Sequence, residues 1–135
     1  MASPRPEEYQ RAAELRAALR RFLRVSEQVA RRHRLTPQRY LLLLMIKGSP
    51  GGAERSTVTE LASRMQLAQS TVTELVHRAE GVGLIRREPS PRDARVAFLR
   101  LTPEAEARLA GAIHDLGPEQ LRLAEVLADA HGATP

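Results

Sequence analysis

The stretch that most constrains this chain runs from Thr57 to Thr102 and reads TVTELASRMQLAQSTVTELVHRAEGVGLIRREPSPRDARVAFLRLT. Apolar residues recur at helical spacing as far as Met65 and again over 69–81, with a short turn between the two segments. Strand-like segments follow at 84–88 and 96–101, joined by a Pro-Ser-Pro-Arg-Asp bend. This order predicts a mostly α fold with a small β-hairpin wing, the winged helix-turn-helix, which contacts double-stranded DNA.

Local signals refine the two helices and the wing. Thr57 and Glu60 fit a capping box at the start of the first helix, whereas the cap position of the second is Ala68, at a local cost of roughly 1 kcal/mol. In the second strand Phe98 and Arg100 share a side, so neither face is expected to be cleanly apolar. The hairpin is therefore predicted to lean on the core only at its base.

Helical patterns also flank the motif on both sides. Residues 7–32 carry one apolar face, and Thr36-Pro37 begins a helix whose apolar segment, 40–46, is expected to be central and buried. A capped helix is predicted from Thr102 to Leu116. Gly117-Pro118 is predicted to break it, and a last helix is predicted from Glu119 to about His131.

The chain is interpreted as one domain, with a DNA-binding lobe at about 36–101 and dimerisation helices at about 7–32 and 102–131. The apolar stripes of the terminal helices would be exposed on a monomer, which indicates a homodimer.

Composition limits the function classes. The chain has 135 residues and a formal net charge of +5. Residues 31–100 hold 13 Lys or Arg against 6 Asp or Glu, and the two ends are slightly acidic. A basic centre between nearly neutral ends is typical of a DNA-binding protein.

Several classes lack support in the sequence. There is no cysteine, no apolar run long enough to span a bilayer and no leader of the signal-peptide type, so the expected location is cytoplasmic, without membrane contact. No phosphate-binding loop, metalloprotease helix or nucleophile elbow is present, which predicts a non-enzyme without a cofactor. The four histidines lack short metal-ligand spacing, and no metal site is predicted.

The motif segments TVTELASRM, QSTVTELVHRAEGVGLIRRE and PRDARVAFLRLTPEAEARL resemble the MarR family of bacterial transcriptional regulators. The resemblance implies a homodimer with one winged helix per subunit, bound to a short palindromic operator and usually acting as a repressor. It also implies a small, often aromatic or anionic, effector that binds between the dimer helices and the DNA-binding lobe and releases the DNA. The chain departs from the family pattern at Ala68, Glu74, His77 and Ser90, so base preference cannot be carried over from relatives.

The candidate DNA-binding residues of the second helix lie in its first turns. Short polar side chains at a helix start reach base edges or phosphates, although they can also satisfy only the backbone. Glu74 could accept a hydrogen bond from cytosine or repel phosphates, and His77 could contact a phosphate or be solvated. Arg78 suits a phosphate or a structural carboxylate. The candidates on this helix are Gln69, Ser70, Thr71, Thr73, His77 and Arg78.

The wing supplies the remaining candidates. Arg92 at the tip is predicted to enter a minor groove, the alternative being a solvated loop charge. Asp93 and Arg95 resemble the family's wing ion pair, with DNA contact by Arg95 as a further role. Arg86 and Arg87 are interpreted as non-specific phosphate contacts or solvated charges.

For an effector cavity the candidates are Tyr9, Phe22, Arg39 and Tyr40, each of which could instead be an ordinary core or surface residue. Another function class stays open: a winged-helix protein-interaction module that has lost DNA binding, for which Glu74 and Ala68 are the only support. A small hydrolase or transferase has no sequence feature in its favour.

Overall fold

The computed structural model describes residues 2–132, with side-chain detail as far as residue 130. Two long helices at the ends of the chain enclose three shorter helices and a β-hairpin. The elements are α1 (Pro6–Arg32), α2 (Pro37–Lys47), a short 3-10 turn (Pro50–Gly52), α3 (Val58–Met65), α4 (Gln69–Gly81), β1 (Ile85–Pro89), β2 (Ala97–Leu101) and α5 (Pro103–Gly132).

Helix α2 is the centre of the core. It contacts α1, α3, α4, α5 and β2. Leu42, Leu43 and Ile46 are fully buried, which confirms the prediction of a central helix, and only Leu41 in the apolar segment is exposed. Every other element of the lobe packs an apolar face onto this helix or onto its immediate neighbours.

The predicted caps are present, with one difference. Thr36 Oγ1 accepts a hydrogen bond from the backbone N–H of Arg39, and Thr57 Oγ1 accepts one from Glu60 N–H, each at 3.2 Å. The Glu60 carboxylate does not bond back to the Thr57 backbone. It accepts from the hydroxyl groups of Thr57 and Ser56, at 3.2 and 3.4 Å. Gln66, in the left-handed conformation at φ 56°, then turns the chain from α3 into α4.

The hairpin packs on the core more fully than predicted. Its register runs from Ile85 opposite Leu101 to Pro89 opposite Ala97. Ser56 forms an isolated antiparallel β-bridge with Leu99: Leu99 N–H donates to Ser56 C=O at 2.8 Å and Ser56 N–H donates to Leu99 C=O at 3.1 Å.

The expectation that neither face of the second strand, β2, is cleanly apolar was wrong. Ala97, Leu99 and Leu101 form an uninterrupted inner face, with Leu99 fully buried and Leu101 buried. Phe98 and Arg100 lie together on the outer face, where Arg55 stacks on the Phe98 ring and Arg100 binds Glu88. Phe98 and Arg100 are thus confined to the outer face of β2, and its apolar inner face packs on the core.

The predicted break at Gly117-Pro118 was also wrong, because α5 continues through both residues as one helix. A proline inside a helix removes one backbone hydrogen bond and crowds the preceding turn. Pro118 is exposed, so water can satisfy the freed carbonyl, while Leu116 is fully buried beside it. On the far side of the proline, Glu119 pairs with Arg21 of α1 at 3.5 Å. Packing against α1 on both sides of Pro118 keeps the helix continuous.

Opposite substitutions at the two caps of the helix-turn-helix should change stability in opposite directions. Ala68 has the extended backbone of a cap residue, φ −65° and ψ 147°, but its side chain accepts no hydrogen bond. Ala68→Ser should raise the free energy of unfolding by about 1 kcal/mol, and Thr57→Ala should lower it by about 1 kcal/mol. Urea denaturation at one protein concentration measures both, and an Ala68→Ser variant no more stable than the parent would contradict this cap assignment.

Candidate nucleic-acid interface

Helix α4 presents one exposed polar face. Val72, Leu75, Val76 and Ala79 anchor its inner side in the core. The outer stripe follows the i, i+3, i+4, i+7 spacing of neighbours on a helix. It consists of Ser70, Thr73, Glu74 and His77, all of them exposed. Gln69 and Thr71 are exposed on either side of this stripe, and Arg78 is exposed one turn after Glu74. The structure thus brings all six candidates of this helix onto one surface.

The first turn of α4 leaves backbone donors open. The N–H groups of Thr71 and Val72 both donate to the carbonyl of Ala68, at 3.1 Å, whereas those of Gln69 and Ser70 find no acceptor in the described part of the chain, and the Ala68 side chain can accept nothing. The first N–H groups of any α-helix lack intrahelical partners, and the helix dipole makes this end partly positive. A helix start of this kind attracts phosphate oxygens.

Glu74 makes a contact that the sequence did not predict. Its carboxylate accepts a hydrogen bond from Arg78 at 2.5 Å, one helical turn away, and both side chains are 63% exposed. Exposed pairs of this spacing are worth only a few tenths of a kcal/mol. The pair lowers the net positive charge of the helix face, and a stronger anion can replace the carboxylate at Arg78.

The wing tip is shaped by Ser90 and Asp93. Ser90 Oγ accepts from the backbone N–H of Arg92 at 3.2 Å and of Asp93 at 3.4 Å, and this forms the turn. Asp93 Oδ1 accepts from Arg95 N–H at 3.0 Å and from Arg95 Nε at 3.3 Å. The expected Asp93–Arg95 ion pair is thus present. Arg92 is exposed at the tip and Arg95 is 92% exposed, so neither guanidinium is buried in the fold.

Arg87 has a structural partner that the sequence analysis missed. Its guanidinium forms a bidentate contact with Glu80. Nε donates to the two carboxylate oxygens at 3.1 and 3.0 Å, and Nη2 donates to Oε1 at 2.9 Å. Glu80 lies near the end of α4 and Arg87 lies in β1, so the contact fastens the wing to the helix that precedes it. Their separation of seven residues across the Gly81–Gly83 turn is the only sequence signal, and it indicates a pair only once the turn geometry is known.

A separate cavity of about 290 Å³ lies between α1, α2 and the Gln120 region of α5. Phe22 and Tyr40, two of the effector-site candidates, are among its walls, and Ser26 lines it beside them. Ser26 Oγ is buried without a hydrogen-bond partner among the described residues. Burial raises the pKa of the Tyr40 phenol above its usual value. The other lining residues are Leu23, Glu27, Pro37, Gln38, Leu41 and Leu44.

Two predicted cavity residues lie elsewhere. Tyr9 is 61% exposed near the start of α1, and Phe22 lies 13 positions further along the helix, which is about 20 Å of rise. Arg39 adjoins Tyr40 in sequence, but neighbouring residues of a helix point about 100° apart, and Arg39 is not part of the described cavity lining. The grouping of these two with Phe22 and Tyr40 was therefore wrong.

Over the part of the chain with described side chains, no three His, Asp, Glu or Cys residues are grouped so that they could hold a metal ion. No helix in the described part of the chain is long and apolar enough to cross a membrane.

Comparison with known proteins gives consistent results. A family model described as "MarR family" matches residues 34–96. The transcriptional regulator HosA of Escherichia coli O111:H- is 35% identical over 79 residues, which is 58% of this chain and 56% of that protein. The chain thus spans little more than half the length of this curated relative.

Solved structures match a larger part of this chain than the curated relative does. A MarR family protein from Bacillus stearothermophilus matches with a TM-score of 0.74 and 28% identity, over 93% of this chain and 83% of the other. The transcriptional repressor CouR, bound to a 23-mer DNA duplex, matches with a TM-score of 0.66 and 26% identity, over 93% of this chain and 88% of the other. The fold is a winged helix-turn-helix of the kind found in MarR family proteins, and the match to the MarR family itself spans residues 34–96.

Proposed function

We propose that this protein is a sequence-specific regulator of transcription that binds double-stranded DNA. The observation that carries the proposal is the exposed polar face of α4 next to the arginine-bearing wing, with Glu80 and Arg87 fastening the two together. The relatives support it: HosA is named a transcriptional regulator, and the CouR structure holds a DNA duplex.

In the proposed complex α4 enters the major groove from its N-terminal end. Gln69, Ser70, Thr71 and Thr73 reach base edges or nearby phosphates, and the open N–H groups of the first turn bind the DNA backbone. Arg78 exchanges the Glu74 carboxylate for a phosphate, and His77 lies beside the same strand. The wing crosses the backbone, so that Arg92 enters the flanking minor groove and Arg95 contacts the nearby phosphates.

We also propose that the protein acts as a homodimer. The terminal helices carry large apolar side chains that the single chain leaves uncovered, and a second copy of the chain would bury them. Two copies related by a two-fold axis would present two α4 helices to half-sites about one helical turn apart, which is why a palindromic operator is expected. The uncovered residues are Tyr9, Leu19, Leu23, Leu121 and Leu127, from 44 to 68% exposed.

The cavity between α1, α2 and α5 is the proposed effector site. Its volume of about 290 Å³ is close to the lower end of ligand pockets, which suits a small aromatic molecule. Phe22 and Tyr40 supply aromatic walls, and the unpaired Ser26 hydroxyl supplies a polar contact. Because the cavity joins terminal helices to the core helix, a bound ligand would change how the lobe sits on the dimer. This coupling supports repression that a ligand relieves.

Selection of bound duplexes from a random DNA pool tests the proposed function, with the winning sequence then titrated at two salt concentrations. A palindrome bound far more tightly than random duplex is the expected result. Enrichment of no sequence would overturn the proposal. It would instead favour the protein-interaction module, for which the neutralising Glu74–Arg78 pair is the specific structural support.

Arg92→Ala should weaken operator binding and reduce the slope of log affinity against log salt by about one unit or less, because it removes one DNA-facing charge. Arg24→Ala is the matched control, since Arg24 is an exposed arginine on α1, far along the chain from the wing. Fluorescence anisotropy at several salt concentrations measures both variants. An Arg92→Ala variant with the operator affinity and salt dependence of the parent would show that the wing tip does not contact DNA.

Leu121→Glu should convert the dimer into a monomer. Leu121 is 68% exposed in the single chain, so a charge there does not disturb the fold of one copy but would be buried in the proposed interface. Sedimentation equilibrium at micromolar concentration should show a dimer for the parent and a monomer for the variant. A monomeric parent would exclude the proposed assembly.

Tyr40 should ionise at higher pH than an ordinary tyrosine, because burial disfavours its phenolate. Its contribution to stability is present below the normal pKa of about 10 and is lost as the pH rises through the raised folded pKa. In a Tyr9→Phe variant Tyr40 is the only tyrosine, and absorbance at alkaline pH follows it alone. A midpoint at or below that of free tyrosine would contradict the buried placement of the ring.

A further inference from the structure

The outer face of the wing carries an unusual set of charges. The hairpin register puts Arg86 directly opposite Arg100 and Glu88 directly opposite Phe98. Like charges placed opposite each other on adjacent strands repel and destabilise a hairpin. Arg55, from the loop before α3, adds a third guanidinium 4.0 Å from the centre of the Phe98 ring. Arg55, Arg86, Glu88, Phe98 and Arg100 are called the outer-wing cluster below.

Glu88 pairs with all three arginines of the cluster. Its Oε1 lies 3.4 Å from Arg55 Nη1, and its Oε2 accepts from Arg100 Nε and lies 4.0 Å from Arg86 Nη1. Within the part of the chain that the structure describes, no other carboxylate forms an ion pair with any of these three arginines. A single negative charge therefore offsets the mutual repulsion of three positive ones.

The cluster also links the wing to the loop between α2 and α3. Arg55 reaches from that loop to both Glu88 and Phe98, and Arg100 Nη1 donates to the carbonyl of Ala53 at 3.5 Å. Next to it, Ser56 pairs with Leu99 through two backbone hydrogen bonds. The wing is thus attached on its outer side by Glu88 and its partners, and at its junction with α4 by Glu80 and Arg87.

Partial burial makes these contacts stronger than ordinary surface pairs. The side chains of Glu88, Arg55 and Arg100 are 32, 32 and 27% exposed. The hydrogen bond from Arg100, helped by the charges of Arg100, Arg55 and Arg86, holds the pKa of Glu88 below its usual value. Glu88 is therefore ionised at neutral pH. Its contribution is present above the normal glutamate pKa of about 4.3 and is lost as the pH falls through the lowered one.

We propose that Glu88 is a positioning residue for DNA binding: it neutralises Arg55, Arg86 and Arg100 and so holds the wing at the angle that presents Arg92. The proposal rests on the proposed function, because positioning has a consequence only if the wing contacts DNA. Glu88 itself is not assigned a contact with the DNA.

Long-range charge attraction and positioning of the wing predict opposite changes in operator affinity when Glu88 is neutralised. Glu88→Gln removes one negative charge from a lobe proposed to bind a polyanion, so long-range attraction alone would strengthen binding. If Glu88 positions the wing, the three arginines repel, the wing moves, and operator affinity falls roughly tenfold, similar to the loss of one ordered contact. The sign of the change decides between the two.

The experiment combines operator affinity with a direct measurement of wing order. The chain contains no cysteine, so Ala94→Cys places a single nitroxide label at the exposed wing tip. We expect a restricted electron paramagnetic resonance spectrum in the parent and a mobile component in Glu88→Gln at neutral pH. Glu104→Gln is the matched control, because Glu104 also lies between two arginines, Arg34 and Arg108, but on α5. It should leave the spectrum and the affinity unchanged.

A second variant tests the repulsion itself. Adding Arg100→Gln to Glu88→Gln removes the charge opposite Arg86, so the spectrum should again become restricted. The proposal is overturned if Glu88→Gln binds the operator as tightly as the parent or more tightly, if its spectrum is unchanged, or if the double variant stays as mobile as the single one. Absence of duplex binding by the parent would instead overturn the proposed function, and the parent is measured first so that the two failures are separate.

Discussion

The packing of Leu99, a residue of the hairpin, into the core is the contact on which the rest of the lobe depends. Leu99 is fully buried, belongs to β2, which packs on α2, and exchanges two backbone hydrogen bonds with Ser56. Because side chains alternate along a strand, a shift of one residue would place Phe98 and Arg100 on the core. The position of Leu99 thus fixes the hairpin register, and the register fixes where the wing tip and Arg92 lie relative to α4.

The sequence predicted the elements whose signals are local. Helical spacing gave α3 and α4 almost to the residue, the threonine caps at Thr36 and Thr57 marked two helix starts, and the Pro-Ser-Pro-Arg-Asp bend located the wing. The polar face of α4 was also predictable, because burial of Val72, Leu75 and Val76 leaves only one face for the remaining side chains.

The predictions that were wrong share a different cause: they depend on contacts between residues that lie far apart in the sequence. The outer face of the hairpin looked poorly amphipathic because Arg55, the partner of Phe98, lies far from it in sequence. Pro118 seemed to end a helix because packing against α1 cannot be read from local propensity. Tyr9 was predicted to line the same cavity as Phe22, although the distance along α1 separates them.

The arginines of the candidate interface fall into two physical classes. Arg87 binds Glu80, and the partly buried Arg100 binds Glu88, in contacts that join elements of the lobe. Arg78 and Arg95 pair with carboxylates in exposed, local contacts, and Arg92 is exposed at the tip. Exposed pairs contribute little to stability, so their arginines can transfer to phosphates at small cost. The first class would thus build the surface, and the second would contact the nucleic acid.

Footprinting of the protein on its selected duplex tests the central claim most directly, with dimethyl sulfate reporting the major groove and hydroxyl radicals reporting the minor groove. The proposed docking predicts two major-groove zones about one helical turn apart, each flanked by minor-groove protection that is lost with Arg92→Ala. Uniform protection along the duplex, or none in the major groove, would contradict the placement of α4 at the bases.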